Sequence, residues 1–256
     1  MAQLEEPQLP QQWFDERSPL SDQQSISICL DSRLPEHDLH ERLAQELASA
    51  LLVDLEIVEV GRERHVEADY EHLYIDLINR CSIYLGFKLY PGAYPEWLDF
   101  TRPLYQARFV LITNQEGLSN FGDLAPGSRV GVTQGTDGDI RFLAYNNSLP
   151  AASRYHRLPL GQPDIALKAL AEGRVDALII WEPWWQHLAQ GQPEYAEFSV
   201  INAPLVSEPA VPVGAALYTE RTALRSLVDQ AIQILTQDGT VQRVIEESSV
   251  PAQPAR

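Results

Sequence analysis

The sequence has few basic residues, few cysteines and no long apolar runs. Its 19 lysines and arginines stand against 36 aspartates and glutamates, which gives a formal net charge of −17. This excess of negative charge argues against nucleic acid or an anionic membrane surface as a partner, and it leaves room for a cationic ligand or a basic protein. No apolar run approaches the roughly 20 residues that a membrane-spanning helix needs, so we expect no membrane span.

Motifs for catalysis and for metal binding are also missing. No Gly-x-Ser-x-Gly elbow, phosphate-binding loop or dinucleotide fingerprint occurs. Among the six histidines, only His37 and His40 have a ligand-like spacing. They open a predicted helix rich in Glu and Arg, where a solvated face is a more common reason for such a pair than zinc. We therefore predict that the protein is not an enzyme and holds neither a metal nor a cofactor.

Two cysteines, Cys29 and Cys81, permit one disulfide. Cys29 lies near the carboxyl end of a predicted first strand at residues 25–31, and Cys81 opens a predicted third strand. If the two strands pair in parallel, the cysteines are offset by about four residues, or roughly 13 Å. A disulfide needs Cα atoms closer than about 7 Å, so we predict two buried thiols. A different strand register would allow the bond.

Residues 1–24 are rich in Gln, Pro and acidic residues and are predicted to form an irregular lead-in. No charged segment followed by an apolar core occurs, so no signal peptide is visible in this chain. An exported chain after removal of its signal would begin in this way, and so would a cytosolic protein. Both alternatives stay open on this segment alone.

The stretch from residue 161 to residue 185 organises what the sequence does contain. It predicts a helix, a stop at Gly173 where a helix C-cap favours positive φ, and then a near-continuous apolar run. Such a run is typical of a strand covered on both faces, and Pro183 ends it because proline cannot continue the ladder. Ligands of open α/β sheets collect beyond the carboxyl ends of strands, so Trp181 and Glu182 occupy a candidate binding position.

The order of the remaining elements predicts two lobes. A β-α-β-α-β set with helical crossovers covers residues 25–89, and a crossing strand follows at residues 108–113. A second βα set leads to a return strand and two closing helices. We therefore predict an α/β fold whose two lobes each hold a parallel-type sheet flanked by helices and are joined by two hinge crossings. Lobe 1 is assigned to residues 25–110 and 213–256, and lobe 2 to residues 111–212.

Four segments, at residues 99–113, 122–143, 166–180 and 212–247, carry a family resemblance. They are similar, in this order, to four parts of the type II periplasmic solute-binding proteins of the family 3-like branch. These parts are the stretch before the first hinge, the opening of the second lobe, a helix with its Gly-x-Val-Asp-Ala strand, and the closing strand with two helices. The resemblance implies the two-lobed fold of those proteins and a non-enzymatic binding role in the periplasm.

The chain also contains four short motifs, which are Ile28-Cys29-Leu30-Asp31, Arg80-Cys81-Ser82-Ile83-Tyr84-Leu85-Gly86, Thr101-Arg102-Pro103-Leu104-Tyr105 and Ile180-Trp181-Glu182-Pro183. They resemble motifs of a narrower group, the binding-protein-like partners of PQQ-dependent (quinoprotein) methanol and alcohol dehydrogenases. This group has Gly where the present chain has Glu182, and Asp where it has Ser82. The resemblance implies an accessory role that acts through contact with such a dehydrogenase.

Amino-acid-binding members of the family hold the ligand carboxylate with an Arg ahead of the first hinge and the ammonium with an Asp after the Val-Asp-Ala strand. Here no Arg lies between Leu89 and Phe100, and the position after the strand is Trp181. A bidentate clamp for a carboxylate is therefore missing from its usual place, which disfavours an amino-acid ligand. Thr101 and Arg102 are kept as candidate ligand contacts, with solvent exposure or hinge bracing as the alternative for Arg102.

Aromatic side chains are the main candidates for ligand contact. The rings that could line a cleft are Phe87, Tyr90, Tyr94, Trp97, Trp181 and Trp184. Their faces suit an apolar, planar or cationic guest. For Trp184 simple packing is the favoured interpretation, and for Trp181 packing in the core is an equal alternative. A third interpretation is that these rings form a surface for docking another protein.

Two polar features complete the candidate site. Gly135, Thr136 and Asp137 lie at a helix start, whose N–H groups attract an anion, although Asp137 itself can supply that charge as a cap. Asp31 ends the first strand, where it can bind a cation or a hydroxyl or cap the turn that follows. Together with Glu182 it forms our hypothesis for holding a positively charged guest.

The sequence thus predicts a periplasmic solute-binding-type monomer whose lobes close by hinge motion near residues 110–113 and 205–213. The first interpretation is an accessory partner of a quinoprotein dehydrogenase. The alternative is an ABC-transporter subunit that captures a small aromatic or other non-amino-acid solute and works with a permease. An open cleft would favour capture of a small molecule, and one filled by its own side chains would favour protein docking.

Overall fold

The computed structural model describes residues 25–61, 70–92 and 94–255. These residues form two compact units. Unit 1 contains residues 25–61, 70–92, 94–106 and 211–255, and unit 2 contains residues 107–210. The chain therefore leaves unit 1 after residue 106 and returns to it after residue 210. The lead-in predicted at residues 1–24 lies outside the described residues.

Both units are built from strands and helices. The strands are β1 (Ser25–Asp31), β2 (Asp54–Val60), β3 (Ile83–Lys88), β4 (Leu98–Phe100), β5 (Tyr105–Ala107), β6 (Phe109–Thr113), β7 (Arg129–Thr133), β8 (His156–Leu160), β9 (Ala177–Trp181), β10 (Ser199–Ile201), β11 (Val211–Tyr218) and β12 (Gln253–Pro254). The α-helices are α1 (His37–Leu51), α2 (Tyr70–Asn79), α3 (Asp137–Ser148), α4 (Pro163–Ala171), α5 (Glu182–Ala189), α6 (Pro204–Ser207), α7 (Thr222–Gln237) and α8 (Thr240–Ser248). In the part of the chain that the structure describes, no helix combines the length and the apolar character needed to cross a membrane.

The sheet of unit 1 is mixed. Its strand order is β12-β5-β11-β3-β1-β2, and β4 also pairs with β11, antiparallel to it. β1 runs parallel to β2 and β3, as βα crossovers require, and β11 runs antiparallel to β3. α1 covers the sheet with the apolar stripe Leu39, Leu43 and Leu47, each of which is fully buried.

The sheet of unit 2 has the order β10-β6-β9-β7-β8. β7 is parallel to both β8 and β9, and β6 is antiparallel to β9. All five residues of β9 are buried, as the apolar run in the sequence predicted. Gly173, after α4, has φ +67°, so the positive φ predicted for it is present. Pro183 lies in the first turn of α5, so β9 passes directly into a helix.

Cys29 and Cys81 form a disulfide with their Cα atoms 5.5 Å apart, so the prediction of two buried thiols is wrong. The register places Ile28 opposite Ile83, the first residue of β3. Cys81 precedes that strand and lies in a turn, where its N–H donates to the carbonyl of Asp76 at 3.0 Å. The distance of roughly 13 Å assumed that Cys81 lies within a strand. Because Cys81 lies in the turn before the strand, it comes close enough to Cys29 to form the bond.

His40 is buried, which corrects the interpretation of His37 and His40 as one solvated face. Its side chain is 1% exposed, and its Nε2 lies 2.7 Å from the hydroxyl oxygen of Tyr105. Space for the imidazole exists because Gly86, a bulge residue of β3 with φ +84°, has no side chain, and a Cβ there would overlap the ring. His37 instead points to Glu59, with 3.1 Å between Nε2 and Oε1.

Candidate functional site

In unit 2 the predicted site residues lie at one edge of the sheet. β7, β8 and β9 are parallel, so their carboxyl ends share this edge, and Trp181 ends β9. β6 is antiparallel to β9 and pairs Phe109 with Trp181, which brings Arg108 to the same edge. This edge is where open α/β sheets hold their ligands.

Trp181 is packed into this edge of unit 2. Its side chain is 3% exposed, and its ring meets that of Phe109 edge-to-face with centroids 5.1 Å apart. Gly138, in the first turn of α3, lets the Phe109 ring pack closely, because a Cβ at this position would lie 2.7 Å from that ring. The structure thus places Trp181 in the core, and contact between its ring and a solute stays a prediction.

Glu182, the first residue of α5, is held by Arg108. Arg108 Nε donates to Oε2 at 2.8 Å and Nη2 donates to Oε1 at 3.1 Å, so the pair is bidentate. The Glu182 side chain is 17% exposed and that of Arg108 is 51% exposed. The hydrogen bond to Glu182 raises the pKa of Arg108. The carboxylate that we predicted for a cationic guest is therefore matched by a cation of its own unit.

The Gly135-Thr136-Asp137 segment begins α3 as predicted, but its cap is a different residue. Thr136 Oγ1 accepts from the N–H of Asp139 at 3.3 Å, and Asp139 Oδ2 accepts from the N–H of Gly135 at 3.0 Å. Asp139 is in turn held by Arg157 through bonds of 2.6 and 2.7 Å. Asp137 pairs with Arg141, one turn along α3, at 2.6 Å. The N-cap of α3 is therefore Thr136, and Asp137, which we considered as the cap, is paired with Arg141 instead.

In unit 1 the carboxylate of Asp31 closes the turn after β1. It accepts from the backbone N–H of Arg33 at 3.1 Å and from the guanidinium of Arg33 at 3.0 and 2.9 Å. We considered that Asp31 binds a cation, binds a hydroxyl or caps the turn, and the structure shows that it caps the turn. The hypothesis that Asp31 and Glu182 hold a positive guest stays a prediction, and both carboxylates have an arginine partner in their own unit.

Three rings of unit 1, Phe87, Tyr94 and Phe100, form what we call the aromatic cluster. Their centroids are 4.5 to 6.3 Å apart, and all three are partly exposed where they pack on the core. The Tyr94 hydroxyl donates to the carbonyl of Tyr90 at 2.7 Å and accepts from its N–H at 2.8 Å. Burial raises the pKa of Tyr94. The sequence predicted Phe87 and Tyr94 as ligand contacts but not Phe100. Phe100 lies between Asp99 and Thr101, and nothing in that segment marked its ring as a ligand contact.

The other predicted contacts of unit 1 brace the fold. Trp97 is 1% exposed and meets Tyr74 edge-to-face with centroids 4.9 Å apart. Thr101 is buried, and its Oγ1 accepts from the N–H of Ala215 in β11 at 3.0 Å. Arg102 lies against α7, since its N–H donates to Asp229 at 2.7 Å and its guanidinium donates to Gln233 at 3.2 Å. A ligand role for these three residues stays a prediction.

The polar groups of the predicted site are therefore satisfied from within each unit. The arginine–carboxylate pairs are Arg33–Asp31, Arg108–Glu182, Arg141–Asp137 and Arg157–Asp139. Among residues 25–61, 70–92 and 94–255, no group of three or more His, Cys, Asp or Glu side chains is arranged to hold a metal ion. In unit 1 the aromatic cluster is partly exposed, and in unit 2 the Arg108 side chain is 51% exposed.

Comparison with known proteins gives matches among solved structures. A search of protein-family models found no family that matches, and a search of curated proteins found no relative that matches. An arginine transport-system periplasmic binding protein from Legionella pneumophila is 17% identical, with a TM-score of 0.65 over 88% of this chain and 99% of that one. The amino acid ABC transporter substrate-binding protein AbpA from Streptococcus pneumoniae, bound to L-arginine, is 20% identical, with a TM-score of 0.60 over 88% and 94%.

A third similar structure is the ligand-binding core of GluR0 from Nostoc punctiforme in complex with L-glutamate. It is 14% identical and has a TM-score of 0.62 over 87% of this chain and 98% of that one. Likeness at such identities establishes the fold and leaves function to be argued from the site. The chain has an α/β fold with two mixed sheets flanked by helices, which matches the two-lobed fold of periplasmic binding proteins. The predicted fold class is confirmed.

Proposed function

We infer that the protein is a non-enzymatic, periplasmic solute-binding protein that captures a small planar solute other than an amino acid. The aromatic cluster carries this proposal. Three partly exposed rings lie within 6.3 Å of one another, and aromatic surfaces of this kind suit a flat guest. Ligand pockets are lined mostly by apolar and aromatic groups with a few polar ones, and the cluster supplies the first kind.

The paired carboxylates argue against an amino-acid solute. An amino acid needs a cation for its carboxylate and an anion for its ammonium group. Here Asp31 and Glu182 each accept two hydrogen bonds from an arginine side chain of their own unit. Binding an ammonium group at either would require breaking a bidentate pair, which costs free energy that a neutral solute does not have to supply.

The disulfide supports the periplasm as the location. Disulfides form and persist in oxidising compartments such as the bacterial periplasm, and they are rare in the cytosol of most organisms. Cys29 and Cys81 are bonded and at most 3% exposed, as suits a bond that stabilises the core. This supports export, which the composition of residues 1–24 left open.

The test begins with native mass spectrometry of the purified chain, to find a co-purified solute. Thermal-shift titration with benzyl alcohol, benzamide and indole then samples neutral planar solutes. We expect at least one solute to bind, and Phe87→Leu or Phe100→Leu to weaken it about threefold to tenfold, as loss of one ring contact predicts. Phe198→Leu, which removes a ring stacked on Trp185 in unit 2, is the matched control. Binding that is equal in all variants, or no binding at all, would contradict the proposal.

A second candidate function is the accessory role toward a PQQ-dependent methanol or alcohol dehydrogenase. The disulfide favours it, because it joins the cysteines of two short motifs that carry the resemblance to that group. The test is isothermal titration of the chain against a purified quinoprotein dehydrogenase from the same organism. A complex at micromolar concentrations supports this role. Its absence, with a solute bound, leaves transport with a permease as the function.

A further inference from the structure

The pair of Arg108 and Glu182 has the geometry with which proteins bind a small carboxylate. Two parallel N–H···O bonds of 2.8 and 3.1 Å join the guanidinium and the carboxylate. The guanidinium side chain is 51% exposed, so its outer face is open to solvent. The pair lies at the carboxyl edge of the unit 2 sheet, next to the start of α5.

We propose that Glu182 is an internal carboxylate that occupies the binding face of Arg108 and thereby excludes acidic solutes from this edge. The inference goes beyond the proposed function, because it concerns unit 2 alone. It names the class of solute that this edge rejects. It predicts that Arg108 becomes a binding site for a free carboxylate once the Glu182 side chain loses its charge.

The backbone keeps Arg108 in place without the Glu182 side chain. The N–H of Glu182 donates to the carbonyl of Arg108 at 2.9 Å, which continues the pairing of Phe109 with Trp181. These bonds involve main-chain atoms, so Glu182→Gln leaves them unchanged. The glutamine has nearly the same volume and no charge, so the variant presents the guanidinium to solvent with one charge partner fewer.

A second pair in unit 2 serves as the matched control. Arg129 and Asp176 are also bidentate, at 3.2 and 2.9 Å, and the Arg129 side chain is 48% exposed. Arg129 begins β7, so this pair lies at the amino end of the strand, away from the carboxyl edge. If any exposed arginine gained a ligand on losing its partner, Asp176→Asn would gain one as well.

The experiment is isothermal titration with benzoate as the probe and benzamide as its uncharged analogue. We expect Glu182→Gln to bind benzoate at least tenfold more tightly than the unaltered chain does, with benzamide unchanged. The gain should vanish in the double variant Arg108→Gln/Glu182→Gln and be absent in Asp176→Asn. Added NaCl should weaken it, because half-exposed charges are screened. Should Glu182→Gln unfold, Glu182→Ser provides the same test.

Equal benzoate affinity in the unaltered chain and in Glu182→Gln would overturn the inference. So would a gain that persists without Arg108, or one that Asp176→Asn shares. These outcomes are separable from the fate of the proposed function. A neutral solute that binds without a benzoate gain removes only the inference, and an Arg108-dependent gain in a chain that binds no neutral solute removes only the proposed function.

Discussion

The imidazole of His40 is neutral because the fold removes it from water. Burial is the largest cause and lowers the pKa of His40 from 6.5 to about 3, with His37 and Lys88 acting in the same direction and Asp31 opposing them. Its Nδ1 is buried and has no hydrogen-bond partner among the described residues. Protonation would therefore place a charged, unsolvated group beside Tyr105.

We predict from this pKa that stability falls on acidification. The folded pKa lies below the unfolded one, so the contribution of His40 is complete above pH 6.5 and is lost as the pH falls from 6.5 towards 3. The slope expected from this one group approaches 1.4 kcal/mol per pH unit. Urea unfolding across the window should show a shallower slope in His40→Gln, with the exposed His156→Gln as control. Equal slopes in all three proteins would contradict the prediction.

Gly138 allows a second prediction at the residue scale. A Cβ there would lie 2.7 Å from the ring of Phe109 and 3.0 Å from Ile179, so Gly138→Ala must displace the ring packed on Trp181. Overpacking of this kind costs about 1 to 3 kcal/mol, and we expect a loss of that size in the free energy of unfolding. Gly122→Ala, which meets nothing within 4 Å, should change it little. Guanidinium unfolding followed by tryptophan fluorescence measures both.

At the scale of elements, the sequence predicted the long patterns and missed several of the short ones. The first strand, predicted at residues 25–31, is β1 at Ser25–Asp31, and the crossing strand predicted at residues 108–113 is β6 at Phe109–Thr113. β4, β5 and β12 are two or three residues long, which is too short for alternation to show. They are defined by their pairing with neighbouring strands, β4 with β11 and β12 with β5.

The candidate site was less predictable than the fold. Glu182 and Asp31 were placed correctly at the ends of β9 and β1, but their charge partners were not predicted. Arg108 is 74 residues from Glu182, and no local pattern links them. The burial of Trp97 and Trp181 was equally hidden, because an aromatic residue near a strand end suits both core and surface.

At the element scale, the prediction concerns the disulfide that joins β1 to the turn before β3. The disulfide closes a loop with a sequence separation of 52 residues, and such bonds stabilise small domains by about 2 to 4 kcal/mol. We expect Cys29→Ala/Cys81→Ala to lose that amount in guanidinium unfolding. Dithiothreitol should destabilise the unaltered chain and have no effect on the double variant. A thiol titration of the denatured, unreduced protein that finds two free thiols would contradict the bond.

At the scale of the whole molecule, the charge balance governs the response to salt. A formal net charge of −17 favours expansion through self-repulsion, whereas each exposed ion pair contributes only about 0 to 1 kcal/mol. We therefore predict that added NaCl raises the thermal midpoint at neutral pH, since it screens the repulsion more than it weakens the pairs. Differential scanning calorimetry in a salt series tests this, and a midpoint that falls steadily with salt would contradict it.

The disulfide also determines what a protease can release. Cys29 and Cys81 are bonded across a sequence separation of 52 residues, so one cut anywhere between them severs the backbone without separating the two pieces. On a denaturing gel such a nicked molecule migrates as one band without reductant. After the disulfide is reduced, the two pieces migrate separately. Cleavage outside this interval yields separate fragments at once, which makes the order of digestion a map of the covalent loop.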